Sequence, residues 1–253
     1  MVRIAAINYL NTIPFLYGLE ACMAPGEIVM QFCTPSVSAM LLREGKADIG
    51  IMPVGALGDL KNPSIVSDFC IGATGPVASV LVVSGRPIAE VDEILLDIDS
   101  RTSVLLTEYL CQAKWHITPR LRPFDFLRDP LDPQRCYLLI GDKALLHAGD
   151  FRYVYDLASE WIALKGLPFV FACWTAAGPL EPSFVEKFNQ ALGYGIDHIP
   201  EAVEKYNHQF PREYACKYLR DNISFALDSE KRAGLSEFRR VALEKLTPRE
   251  CVS

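Results

Sequence analysis

The chain has 253 residues, enough to bury a substantial core in one large domain or two smaller ones. Half of the residues are apolar and 22% are charged, and the net charge of −6 argues against a nucleic-acid or anionic-membrane surface. No stretch approaches the roughly 18 consecutive apolar residues that span a bilayer, and no signal core follows Met1, so the chain reads as cytoplasmic.

A mostly apolar strand over residues 2–7 runs into Asn8-Tyr9-Leu10-Asn11-Thr12, and Ile13-Pro14-Phe15 opens a helix. A strand that ends in amides ahead of a helix with Pro in its first turn sets polar side chains beside unpaired helix N–H groups. In an open α/β sheet such strand ends face the ligand crevice, and helix N-termini favour an anionic guest. After the Pro25-Gly26 turn, residues 27–32 read as a strand and 36–44 as a helix with Val37, Met40 and Leu41 on one face and Gly45 at its end. Residues 47–52 form a further strand, stopped by Pro53, and 77–83 an apolar strand behind Gly75-Pro76. Then come a strand over 93–97, a helix over 100–114, a strand over 136–140 leading into Gly141-Asp142 and a short helix, a helix over 156–165 stopped by Gly166, and an apolar strand over 169–174. Helices follow over 182–199, 201–208, 212–220 and 229–246.

The strand–helix alternation predicts parallel sheets covered by helices. The strands over 77–83 and 169–174 read as crossovers. Residues 1–83 and 174–253 then make a discontinuous lobe I, and 84–173 make lobe II. The expected fold is α/β, two-lobed and like a type II periplasmic binding protein, with a central cleft.

Several polar groups sit where such a cleft would be. Asn8 to Asn11 form either a simple capped turn or part of a site, and Ser36 and Ser38 either cap their helix or face the ligand. Ser100, Thr102 and Ser103 exceed what one helix cap requires, and N–H groups there can chelate a carboxylate. Arg101 is either solvated or paired with a carboxylate. Asp142 is an N-cap or an acceptor facing the cleft. The chain has no Gly-x-Gly-x-x-Gly or phosphate-binding loop after a strand and no Gly-x-Ser-x-Gly elbow. His116, His147, His198 and His208 fall on helix flanks or turns, which suits structural or surface roles rather than metal binding. The eight cysteines are scattered without a Cys-x-x-Cys pair and read as free thiols.

Taken together, Asn8-Tyr9-Leu10-Asn11 with Pro14, Pro35-Ser36-Val37, Ala47-Asp48-Ile49-Gly50 with Pro53-Val54, Gly75-Pro76-Val77-Ala78-Ser79, Asp99-Ser100-Arg101-Thr102-Ser103-Val104 and Ile140-Gly141-Asp142-Lys143 have a familiar order and spacing. So does the run from Asp156-Leu157-Ala158 to Gly166-Leu167-Pro168-Phe169, and Tyr218-Leu219-Arg220 with Gly234-Leu235 and Phe238 also fits. The chain resembles the menaquinone-biosynthesis chorismate dehydratases of the futalosine route. Their sister dihydroxynaphthoate synthases open on a Ser-Pro-Cys-Pro-Asn-Asp-like motif and use a catalytic histidine, and this chain has neither at the matching place.

The resemblance implies a cofactor-independent lyase with no metal, which removes water from chorismate to give 3-[(1-carboxyvinyl)oxy]benzoate. The implied partner is thus a small dicarboxylate, with no nucleic acid or membrane, and the chain is a monomer or a homodimer. The expected catalytic residues are Asn11, near the reacting carbons, and Asp142, orienting a hydroxyl or acting as base. The expected substrate-binding residues are Ser36, Ser38, Pro53, Gly75, Ser79, Ser100, Arg101, Thr102, Ser103 and Gly141. The substrate's own enolpyruvyl carboxylate is the rival to Asp142 as base. The rival functions are a non-catalytic binding protein and a ligand-sensing domain, since fold alone does not fix function.

Overall fold

A computed structural model describes residues 1–207 and 209–246. Eleven strands among them form two sheets. The first sheet contains β1 (Val2–Ile7), β2 (Ile28–Cys33), β3 (Ile49–Pro53), β4 (Ser64–Ala73), β10 (Phe169–Ala176) and β11 (Ser224–Ala226), in the order β11-β4-β10-β3-β1-β2. The second contains β5 (Val80–Ser84), β6 (Glu93–Asp97), β7 (Arg120–Phe124), β8 (Cys136–Ile140) and β9 (Tyr153–Asp156), in the order β7-β6-β8-β5-β9. Each sheet with its helices is one lobe of an α/β fold.

The expectation of parallel sheets holds only in part. β1 runs parallel to β2 and β3, and β6 parallel to β7 and β8. β10, however, is antiparallel to β3 and β4, and β5 is antiparallel to β8 and β9. These are the strands that follow each passage between the sheets, so each enters its sheet from the opposite end. Their sheet membership also differs from the boundaries at 83 and 174 drawn from the sequence. β5 lies wholly in the second sheet and β10 wholly in the first, which puts the passages at the short stretches before each strand rather than within them.

Helices α1 (Ile13–Cys22), α2 (Pro35–Arg43), α6 (Pro182–Asp197), α7 (Ile199–Tyr206), α8 (Arg212–Asp221) and α9 (Ser229–Leu246) accompany the first sheet, and α3 (Thr102–Ala113), α4 (Asp142–His147) and α5 (Leu157–Lys165) the second. The predicted helix over 201–208 starts two residues earlier as α7, and its last position, His208, lies outside the described residues. Local chemistry accounts for the helix ends that matter here. Pro14 and Pro35 lie in the first turns of α1 and α2, where a missing N–H costs nothing. Asp156 caps α5 by accepting from the Ser159 N–H at 3.0 Å, and Gly166 ends it with φ +69°.

One apolar core runs through the first lobe and onto the inner face of the second sheet, through Val80, Val82, Leu96, Leu138 and Ile140. Leu81, Val83, Leu95, Tyr137 and Leu139 point the other way into a separate cluster. The described cysteines are free thiols; Cys251 lies outside the described residues. Among the described residues no helix is long and apolar enough to cross a membrane.

Candidate functional site

A cavity with about 510 Å³ of empty space, its mouth included, lies between the sheets. It is bounded by the carboxyl ends of β1, β3 and β8 at Ile7, Pro53 and Ile140, and by the first turn of α3.

The β1–α1 junction forms one wall. The Tyr9 N–H donates to Thr12 Oγ1 at 3.2 Å and the Thr12 N–H to the Tyr9 carbonyl at 3.0 Å, while the Thr12 hydroxyl donates back to Ile7 O. This closed turn satisfies the local backbone and leaves Tyr9 and Asn11 on the cavity. Asn11 lies beside the buried hydroxyl of Tyr218, a residue of α8.

Opposite stands the start of α3, where Ser100, Arg101, Thr102 and Ser103 all line the cavity. Their hydroxyls have different work. Ser100 Oγ accepts the Ser103 N–H at 3.2 Å and so caps the helix. Thr102 Oγ1 donates to Phe171 O at 3.0 Å and accepts the Gly55 N–H at 3.1 Å, so its hydroxyl joins the lobes instead of serving a ligand. Arg101 pairs with Asp59 at 3.2 Å. With 54% of the Arg101 side chain exposed, that pair is weak, and a ligand carboxylate can compete for the guanidinium. The partial positive charge of the helix start adds to it.

Seven of the expected site residues therefore share this cavity: Asn11, Pro53, Ser100, Arg101, Thr102, Ser103 and Gly141. The other five are absent from its wall. The Ser38 hydroxyl is buried under β3, donating to Ile51 O at 3.1 Å, and Ser36 Oγ lies 3.0 Å from Thr34 Oγ1. Gly75 sits in the passage between lobes with open space around it. Ser79 is buried, its Oγ accepting from the Tyr218 hydroxyl at 2.7 Å and its carbonyl from the Gly141 N–H at 2.7 Å. Asp142 borders a neighbouring hollow with Tyr9 and Leu10, and its Oδ1 accepts the Leu10 N–H at 2.9 Å across the lobes.

Gly141 has two reasons to lack a side chain. Its φ of +60° with ψ −140° is a region that side chains avoid, and a Cβ there would lie 2.8 Å from ring carbons of Tyr9. The lobes thus touch at Tyr9 on Gly141, beside the bond from Leu10 to Asp142.

The electrostatics follow from burial. Desolvation pushes the Asp142 carboxyl above its ordinary range, opposed by the Leu10 N–H. Desolvation, then the charges of Asp99, Asp97 and Asp142, push the Tyr9 phenol far up, so it stays neutral. Buried Asp97 and partly buried Asp99 share Lys143, at 2.5 and 3.2 Å. Among the described residues no Asp, Glu, His, Cys or Lys lines the cavity, and the ionisable side chains on it are Tyr9 and Arg101. Among the described residues no group of three or more His, Cys, Asp or Glu is arranged to hold a metal ion.

Sequence reasoning missed Phe171, Ile51 and Ile71, which give the cavity its apolar wall. It also missed Tyr218, which sits far along the chain in an amphipathic helix where a buried tyrosine reads as core.

The two sheets, the interlobe cavity and the helix start facing it define a binding-protein-like fold, and solved structures agree. A protein from Archaeoglobus fulgidus superposes with TM-score 0.78 at 17% identity, covering 96% of this chain and 97% of that one. A Candida albicans protein described as having the generic periplasmic binding protein fold gives TM-score 0.57 at 12% identity, over 97% and 94%. A sequence model of the menaquinone-biosynthesis family matches residues 2–244, and the chain belongs to that family. A chorismate dehydratase from Thermus thermophilus is 24% identical over 254 residues, 91% of each chain.

Proposed function

We propose that the protein is a chorismate dehydratase of menaquinone biosynthesis by the futalosine route, acting without a cofactor. Family membership and the similarity to the Thermus thermophilus chorismate dehydratase support this reading. The observation that carries the mechanism is a cavity wall that, among the described residues, holds no side chain suited to be a base at neutral pH.

Chorismate is a dianion. The start of α3, through its N–H groups, the Ser103 hydroxyl and Arg101, binds one carboxylate, while the apolar wall at Ile51, Ile71 and Phe171 receives the ring. The C3 proton is vinylogous to the ring carboxylate, so its removal gives an anion delocalised onto that group. Positive charge at α3 stabilises it. The substrate's enolpyruvyl carboxylate, held close to C3, accepts the proton. The C4–O bond then breaks, the transferred proton leaves with the hydroxide as water, and the ring becomes aromatic. Asn11 holds the C4 hydroxyl during departure. In this reading Asp142 fastens the lobes over the substrate rather than acting as the base.

Incubation of purified protein with chorismate, followed by chromatography and mass spectrometry, tests the proposal. The expected product is lighter by one water, carries a benzoate absorption spectrum and forms faster than in protein-free controls. Binding without turnover would favour a carrier or sensor, and neither would remove chorismate as the ligand.

A further inference from the structure

Tyr218 of α8 and Asn222, the residue just after its end, grip the passage between Ala73 and Val80. Tyr218 donates to Ser79 Oγ at 2.7 Å and Asn222 Nδ2 donates to Pro76 O at 2.9 Å. Between them Ala78 adopts φ +60°, uncommon for a residue with a Cβ, and its N–H is held by Asp156 Oδ2 at 2.7 Å. The passage is therefore fixed from both lobes. Ser79 is the point where the two sides meet, because its carbonyl also receives the N–H of Gly141 in the cavity wall.

The Tyr218 side chain is buried, and its hydroxyl has Ser79 and Asn11 as neighbours. Its single proton goes to Ser79, so it offers Asn11 an oxygen. An Asn11 amide that bonds to this oxygen turns its NH₂ group toward Tyr218 and leaves its carbonyl oxygen for the cavity. An amide on a freely rotating side chain presents either end to a ligand.

We infer that Tyr218, fixed by its bond to Ser79 and placed beside Asn11, is a positioning residue that orients the Asn11 amide so that its carbonyl oxygen accepts a hydrogen bond from the substrate's hydroxyl. The inference rests on the dehydratase reading for the substrate, but the orientation of the amide is independent of it. The link to Ser79 also makes that orientation depend on the passage between lobes keeping its place.

Tyr218→Phe, Asn11→Ala and the double variant test this with chorismate turnover, together with the Asn11 side-chain amide signal by ¹⁵N NMR, assigned from its loss in Asn11→Ala. Tyr218→Phe is expected to lower kcat roughly tenfold with KM within about twofold, and the double variant to fall no further than Asn11→Ala alone. The amide signal should shift or broaden in Tyr218→Phe. Losses that multiply in the double variant, or an amide signal that does not move, would overturn the inference. Should Tyr218→Phe fail to fold, Ser79→Ala removes the acceptor that fixes the phenol proton and is expected to move the same signal; an unmoved signal there overturns it equally. Failure of the parent protein to convert chorismate would instead sink the dehydratase reading, and the amide signal would then decide the role of Tyr218 by itself.

Discussion

The cavity wall and the seam between the lobes use the same short segments for opposite kinds of chemistry. In the wall, neutral amides, hydroxyls and one guanidinium stand among Ile, Pro and Phe side chains. In the seam stand the carboxylates: Asp142 on the Leu10 N–H, Asp59 on Arg101, and beside it Asp97 and Asp99 on Lys143. A carboxylate facing the wall would repel a dianionic guest in a poorly solvated space, whereas in the seam each has a hydrogen-bonding partner. Acidic residues that hold the lobes together therefore need not take part in chemistry, even where burial perturbs them.

Changes that bring wall and seam into collision should cost most. Gly141→Ala adds a Cβ against the Tyr9 ring at a backbone position strained by about 1–3 kcal/mol for other residues. A loss of roughly a hundredfold in kcat/KM is expected. Activity within about threefold of the parent would show that the two lobes do not need this contact during turnover. Asn11→Ala strikes the wall alone, and kcat/KM should fall more than about tenfold, or ~1.4 kcal/mol. A smaller loss would remove Asn11 from the reacting centre.

Thr102→Val separates the two roles, since it keeps the shape of the wall while stripping the seam of two hydrogen bonds. With the Gly55 N–H and Phe171 O left unpaired, unfolding free energy should drop by about 1–3 kcal/mol in denaturant titrations, with kcat/KM changed by less than about fivefold. The reverse pattern, stable protein with lost activity, would return the Thr102 hydroxyl to substrate binding. Asp142→Asn should be mildest. Asparagine retains an oxygen for the Leu10 N–H and removes a desolvated charge. Because burial raises the Asp142 pKa, its contribution to stability is present at acid pH and is lost as pH rises through that raised value. Stability of the variant relative to the parent should accordingly improve as pH rises from the ordinary aspartate range, measured by thermal melts across pH; a difference independent of pH would place this carboxyl in solvent.

The sequence disclosed the strand-to-helix junctions well, because Pro in a first turn, a Gly after a last turn and apolar runs such as residues 136–140 are local signals. β4, β7, β9 and β11 went unseen for physical reasons. β9 and β11 are too short for alternation to register, β7 carries Arg120, Arg122 and Pro123 at a sheet edge, and β4 mixes Ser and Asp into its exposed half. At the site, helix starts and strand ends led to Asn11 and to the α3 turn. They could not tell which hydroxyls face a ligand. Ser38 and Thr102 look alike in sequence, yet one is buried beneath β3 and the other spans the lobes. Tyr218 meets Ser79 across 139 positions, a separation that no local pattern records.

The central claim is that the proton leaves C3 for the substrate's own carboxylate and not for a side chain. The most direct measurement is kcat for chorismate from about pH 6 to about pH 9, in the parent protein and in Asp142→Asn. A carboxylate of ordinary pKa is fully ionised throughout that span, so a flat profile in both proteins is predicted. A rate that falls with unit slope toward acid in the parent, and is abolished in Asp142→Asn, would contradict the account and make Asp142 the base.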